Sequence, residues 1–117
     1  MASPLPVILY NVPGRTGSNI SADTCLRLAN EFENIVGIKE ASGDFAQIMD
    51  IIARKPVDFQ LISGDDAVTF PMISLGASGV ISVVGNAFPR DFSDMVRLAL
   101  SYKILDARKI HYKMLPI

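Results

Sequence analysis

A chain of 117 residues, half of them hydrophobic and a fifth charged, has the composition of one soluble globular domain. Its 11 basic and 12 acidic residues leave a formal net charge of -1 with no block of like charge, which argues against nucleic acid or a membrane surface as a partner. A single cysteine, Cys25, forbids an internal disulfide and fits a cytoplasmic setting. No apolar run reaches the roughly 18 residues of a membrane helix, and no basic leader precedes the first apolar run.

Apolar runs and helical stripes then alternate along the chain. Residues 5–10 read as a strand stopped by Asn11-Val12-Pro13-Gly14. A helix follows, capped by Ser21, stapled by Ile20 and Cys25, with a stripe of Cys25, Leu28, Ala29 and Phe32. Residues 35–39 are the second strand. Ser42-Gly43-Asp44 is its loop and cap, Phe45, Ile48, Met49 and Ile52 are the next stripe, and Lys55-Pro56 is its stop. Residues 57–62 form a third strand and residues 67–75 a third helix, in which Pro71 must lie in the first turn or make a kink. Residues 79–84 are the fourth strand. Pro89 opens a helix with Phe92, Met95, Val96 and Ala99 inward, and Ile104, Ala107, His111 and Met114 mark a last helix before Pro116. No linker interrupts the series, so residues 1–117 are expected to form a single domain.

Strands alternating with helices imply an α/β fold with a parallel sheet, in which all loops after the strands emerge on one edge. Either a small open α/β sandwich or half of an eight-unit barrel of about 250 residues fits. The barrel half is preferred, because alternation in the second strand puts Ile35, Gly37 and Lys39 on one face and Val36, Ile38 and Glu40 on the other, against helices. Such a half leaves two strand edges and a lumen face uncovered, so a homo-oligomer or a complementing barrel half is expected.

Lys39 at the end of an apolar strand needs a reason. A partly desolvated lysine exposes the neutral amine that attacks a carbonyl to form a Schiff base; the plainer alternative is a side chain that reaches out to Glu40 or Asp44. Tyr10 ends the first strand on the same edge and offers a phenol to move protons, while Arg15 in the first loop offers a fork for a carboxylate of a substrate or of Glu40. Glu40, Asp44, Asp65 and Asp66 allow a Mg²⁺ cluster in principle, but both aspartate sites precede helices and read more simply as caps. No metal and no cofactor is expected, since an imine is its own electron sink. Gly14-Arg15-Thr16-Gly17-Ser18 lacks the lysine and spacing of a phosphate-binding loop, and the lone His111 reads as structural.

Four motifs in order carry a family resemblance: Tyr10-Asn11-Val12-Pro13-Gly14-Arg15-Thr16-Gly17, Gly37-Ile38-Lys39-Glu40-Ala41-Ser42-Gly43-Asp44, Ser63-Gly64-Asp65-Asp66 and Gly79-Val80-Ile81-Ser82-Val83. Over nearly the whole chain the sequence resembles the second half-barrel of the dihydrodipicolinate synthase family, pyruvate-dependent class I aldolases related to N-acetylneuraminate lyase. The resemblance implies a (β/α)8 TIM-barrel lyase of lysine and diaminopimelate biosynthesis that condenses pyruvate with aspartate semialdehyde. It further implies that Lys39 forms the imine, Tyr10 relays protons, Arg15 meets the aldehyde substrate's carboxylate, and Gly64 and Ile81 line the pyruvate pocket through their backbones. Arg15 favours the synthase over the neuraminate lyases. The family's first four strand-helix units, with a threonine pair and a tyrosine lent by a neighbouring subunit, lie outside this sequence, as does most of its C-terminal helical domain. A non-catalytic half-barrel module is the alternative that these residues leave open.

Overall fold

The structure, a computed structural model, describes residues 2–117. Its centre is a sheet of four parallel strands in sequence order: β1 (Val7–Asn11), β2 (Ile35–Glu40), β3 (Gln60–Ser63) and β4 (Gly79–Val80). The helices are α1 (Pro13–Thr16), α2 (Ala22–Glu31), α3 (Phe45–Arg54), α4 (Thr69–Leu75), α5 (Pro89–Leu100) and α6 (Ile104–Met114). Among the described residues no helix is long and apolar enough to cross a membrane.

From Gly37 to Glu40 the alternation read in β2 is the alternation found, whereas Ile35, expected on the lumen face, packs against the helix-side core where the β1–β2 register shifts between Val7 and Ile8. Ile38 is completely buried on the helix side, packed with Leu61 of β3 and with Cys25, Ile48, Ile51 and Met72 from α2, α3 and α4. Burying each such side chain stabilises the fold by about 1.5–3 kcal/mol, which pins the sheet to its helices on one face only. On the other face Ile8, Tyr10 and Ile81 are each about half exposed. Ser21 caps α2 by accepting a hydrogen bond from Thr24 N, and Asp44 caps α3 by accepting one from Gln47 N. Phe32 and Met49, placed inward by sequence spacing, are instead half exposed; Ala22 and Leu26 in α2 and Ile51 in α3 fill those places.

Strand ends differ from expectation for local reasons. β1 begins only at Val7, since Pro4 and Pro6 have no N–H to give, and its pairing runs on through Asn11. β3 begins at Gln60 rather than 57: Phe59 N donates to Pro56 O in a turn that leaves Val57 93 % exposed. β4 stops at Val80, not 84, because the amides of Val83 and Val84 turn to the Asp66 carboxylate and the chain enters a 3-10 turn at Val84–Asn86. A second 3-10 turn, Asp66–Val68, precedes α4, whose shorter span places Pro71 in its first turn. Helices α5 and α6 are separate although no glycine divides them: Tyr102 itself takes φ 63°, and Lys103 N closes the turn on Leu98 O. α1 is a single turn within the first loop, ended by Gly17 in the left-handed region at φ 70°.

Candidate active site

Register brings the two front-face candidates together. Tyr10 and Lys39 are cross-strand partners, as are Lys39 and Ile62, so the phenol and the amine stand side by side at the C-terminal ends of β1 and β2. The Lys39 ammonium lies over the Tyr10 ring, 4.0 Å from its centroid. Such a contact is worth about 0.5–1 kcal/mol at an exposed site and holds the amine on the lumen face. Lys39 makes no ion pair among the described residues, with neither Glu40 nor Asp44. The plainer reading of Lys39 as a strand-end lysine reaching for a carboxylate is thereby set aside.

Gly64 supplies the space for that lysine. It has no positive φ, yet a Cβ built there would sit 3.0 Å from Lys39 Cγ, 3.1 Å from Lys39 Cε and 3.0 Å from Ala41 Cβ. Its N–H donates to Glu40 O, fixing the loop against β2. The absent side chain is thus what lets the lysine stem pass.

Tyr10, Arg15, Lys39 and Gly64 all line one cleft of about 640 Å³ at the edge where the loops emerge. Phe92, Met95 and Met114 form its apolar side, together with His111, whose ring packs against Phe70 and Tyr112. Partial burial pushes the His111 imidazole below its usual range, which favours its neutral form. Arg15 is exposed and has no acidic partner among the described residues, so its guanidinium is unengaged at the cleft. Ile81 is not brought to the cleft wall. Its N–H is used by Ser63 O, and from that segment it is Val83 and Val84 that reach the cleft.

The carboxylates serve as backbone acceptors, although Asp65 and Asp66 also line the cleft. Asp44 caps α3; Asp65 accepts from Ala67 N; Asp66 Oδ2 accepts from Val83 N at 3.0 Å and Val84 N at 2.9 Å, tying the loop after β4 to the loop after β3. Asp66 Oδ1 is buried without a partner among the described residues. No group of three or more His, Cys, Asp or Glu among those residues is arranged to hold a metal.

Sequence reasoning missed the layer behind the cleft. Asn11, Glu40 and Ser63 end their strands with side chains on the helix face, and all three are 0–1 % exposed. Ser63 Oγ is bonded to Asp65 O and to the buried Thr69 hydroxyl. Glu40 accepts from Asn11 Nδ2 at both oxygens, from Ser42 N and from Gln47 Nε2. It is therefore unavailable to Arg15. Burial, and after it the Glu40 charge, push the Cys25 thiol up to about 11, so that side chain serves packing alone. The only signal in the sequence was that polar residues stood where alternation called for apolar ones.

Comparison with known proteins agrees with this geometry. The model of the Dihydrodipicolinate synthetase family matches residues 1–117. The 4-hydroxy-tetrahydrodipicolinate synthases of Phocaeicola vulgatus and Parabacteroides distasonis are 62 % and 60 % identical over 112 and 111 residues, which is 96 % and 95 % of this chain. The chain spans 38 % and 37 % of their lengths, little more than a third. The crystal structure of dihydrodipicolinate synthase from Aquifex aeolicus matches 96 % of this chain and 38 % of its own, with TM-score 0.94 and 45 % identity. A variant described as the first monomeric dihydrodipicolinate synthase matches 98 % of this chain and 39 % of its own, with TM-score 0.94 and 37 % identity. The half-barrel sheet, the lysine at the end of its second strand and the match along every residue converge on one statement: this chain belongs to the dihydrodipicolinate synthetase family.

Proposed function

We propose that this chain is the imine-forming part of a dihydrodipicolinate synthase-type lyase, and that Lys39 is its nucleophile. One observation carries the reading: a lysine amine with no acidic partner among the described residues is held over a tyrosine ring at the mouth of a cleft, its stem threaded past a glycine. The neutral amine adds to the C2 carbonyl of pyruvate, giving a carbinolamine. Loss of water gives the imine, and Tyr10 O–H carries the protons that the hydroxyl must gain and the nitrogen must lose. Deprotonation at C3 then gives an enamine, whose carbon attacks the aldehyde of aspartate semialdehyde. Arg15, unengaged on the rim, binds that substrate's carboxylate. The imine accepts the electron pair itself, so the step calls on no metal or cofactor.

The chain spans little more than a third of its relatives' length, and the wall of the cleft that it supplies carries the nucleophile and an apolar side from α5 and α6. Imine formation without rapid turnover is the behaviour this wall supports. Among the described residues the outer edges of β1 and β4 are unpaired, which favours self-association or a complementing half-barrel, and sedimentation at micromolar concentration should give at least twice the chain mass. A compact monomer would refute that part.

Incubation with pyruvate, reduction with borohydride and peptide mapping test the nucleophile. The adduct should fall on Lys39, with Lys55, Lys103, Lys109 and Lys113 spared, and Lys39→Arg should abolish it. Even labelling of all lysines, or none on Lys39 in a folded chain, would overturn the assignment and leave the non-catalytic module.

A further inference from the structure

Each residue on the front of the sheet has a sequence neighbour on the back. Tyr10 is followed by Asn11 and Lys39 by Glu40, and both pairs are register partners across β1 and β2. The phenol and the amine face the cleft, while directly behind them the amide of Asn11 donates to Glu40 Oε1 at 3.1 Å and Oε2 at 3.2 Å. These back-face groups are 1 % and 0 % exposed.

The orientation of the amide follows from its other contacts. Asn11 Oδ1 accepts from Ile20 N at 2.9 Å, which leaves Nδ2 for Glu40 and for Asn19 Oδ1 at 2.9 Å. Glu40 Oε1 also accepts from Ser42 N at 2.8 Å, and Oε2 from Gln47 Nε2 at 3.2 Å. Every partner is an N–H donor, and no Lys, Arg or His among the described residues pairs with the carboxylate. Replacing a buried ionic group by packed hydrophobic residues is often neutral or stabilising, so stability is a weak reason for placing an acid here. What the acid does supply is geometry. Its contacts come from β1, from the loop after β2 and from α3, and they join at the residue next to Lys39.

We propose that Asn11 and Glu40 are positioning residues: their contact on the back of the sheet fixes the separation and orientation of Tyr10 and Lys39 on the front, and thereby sets the rate of imine formation. The kinetic half of this proposal rests on the imine reading above; the geometric half does not. An error of about 1 Å in the placement of a reacting group can cost about 10²-fold in rate.

The test uses Glu40→Gln, Asn11→Ala and the exchange Glu40→Gln with Gln47→Glu. In Glu40→Gln an NH₂ meets the Gln47 donor. In the exchange the carboxylate moves to position 47, where it gives up the Gln47 Nε2 bond to Ile20 O but accepts from that NH₂ and from Asn19 Nδ2, which in the unaltered chain donates to Gln47 Oε1. Two quantities are read on the whole chain. One is the ring-current shift of the Lys39 ε-methylene protons, observed by NMR without pyruvate, with Tyr10→Leu as the unshifted reference. The other is the rate of borohydride-trapped pyruvate adduct against pyruvate concentration. Glu40→Gln and Asn11→Ala should each lose at least half of the ring shift and drop the limiting rate about tenfold to 10²-fold. The half-saturating pyruvate concentration should stay within about twofold, and the exchange should restore the rate to within about threefold of the starting chain. A folded Glu40→Gln or Asn11→Ala chain that keeps shift and rate overturns the proposal. So does failure of both single variants to fold, since the pair is then structural. If the unaltered chain shows the ring shift but takes no pyruvate, the imine reading fails and the pair is judged on the shift alone.

Discussion

Gly64→Ala separates the stability of this fold from the placement of its lysine. The backbone at Gly64 accepts alanine, having no positive φ, so the cost lies in the new Cβ. That carbon would meet Lys39 Cγ at 3.0 Å and Cε at 3.1 Å, against a favourable carbon–carbon separation of about 3.5–4.0 Å. Ala41 Cβ, at 3.0 Å, closes the way out, so the lysine stem must retreat by about half an ångström. Its ammonium, one bond further out, then leaves its place over Tyr10 by about 1 Å, which corresponds to about 10²-fold in rate. Overpacking a core costs about 1–3 kcal/mol, and a flexible stem beside an open face puts this case near 1, or about 4 °C in melting temperature. Gly37→Ala is the contrast: its Cβ would lie 2.7 Å from the backbone oxygen of Gln60, so β3 itself must move, and the loss should reach about 3 kcal/mol or abolish folding. Denaturant melts and pyruvate trapping on Lys39 read the two effects. A folded Gly64→Ala chain that traps pyruvate at the unaltered rate would refute the argument, as would a Gly37→Ala chain no less stable than Gly64→Ala.

Asp66→Ala frees the amides of Val83 and Val84, and hydrogen bonds to a charged group are worth about 1.5–3 kcal/mol, so their hydrogen exchange should speed up by at least about tenfold. Asp66→Asn, which keeps one acceptor, should fall between, and unchanged exchange in Asp66→Ala would remove this residue as the tether of the loop after β4. His111 has a pH signature. Its folded value lies below the ordinary 6.5, so between the two the unfolded chain binds more protons. Its contribution is therefore complete above pH 6.5 and is lost as pH falls through the folded value. His111→Phe keeps the packing on Phe70 and Tyr112 without the titration, so its stability relative to the unaltered chain should rise as pH falls below 6.5; a pH-independent difference would contradict this.

The sequence made the front of the site legible and left its back hidden. Alternation in β2 is a local property, and it placed Lys39 and Ile38 on their correct faces; order along one sheet edge then brought Tyr10, Arg15 and Gly64 to the same cleft. Glu40 was assigned to the helix face but given the wrong partners, because Asn11 lies 29 residues away and an amide carries no charge pattern to announce the match. Asp66 looked like a cap from its place before a helix, yet its acceptors are used by a segment 17 and 18 residues further on. The ends of β3 and β4 were blurred because apolar residues continue past them: Val57 and Val83 have strand propensity, but each stands largely in solvent where a turn has taken the backbone.

Because the strands lie side by side in the order in which they occur in the chain, each ladder joins a strand to the one made just before it. Every loop closed in building the sheet is short, so its entropic cost is small and no strand has to wait for a distant partner. Synthesis from the N-terminus can therefore lay the sheet down in steps. The side-chain contacts behind Tyr10 and Lys39 involve nothing beyond α3: once Gln47 has emerged, the Asn11 amide and the Glu40 carboxylate have their partners, while the backbone of Lys39 and Glu40 still lacks β3 and Gly64. The back-face polar network is thus the first part of the corner whose members have all been made, and the later units deliver the β3 ladder, the Gly64 passage for the lysine stem and the cleft's apolar side.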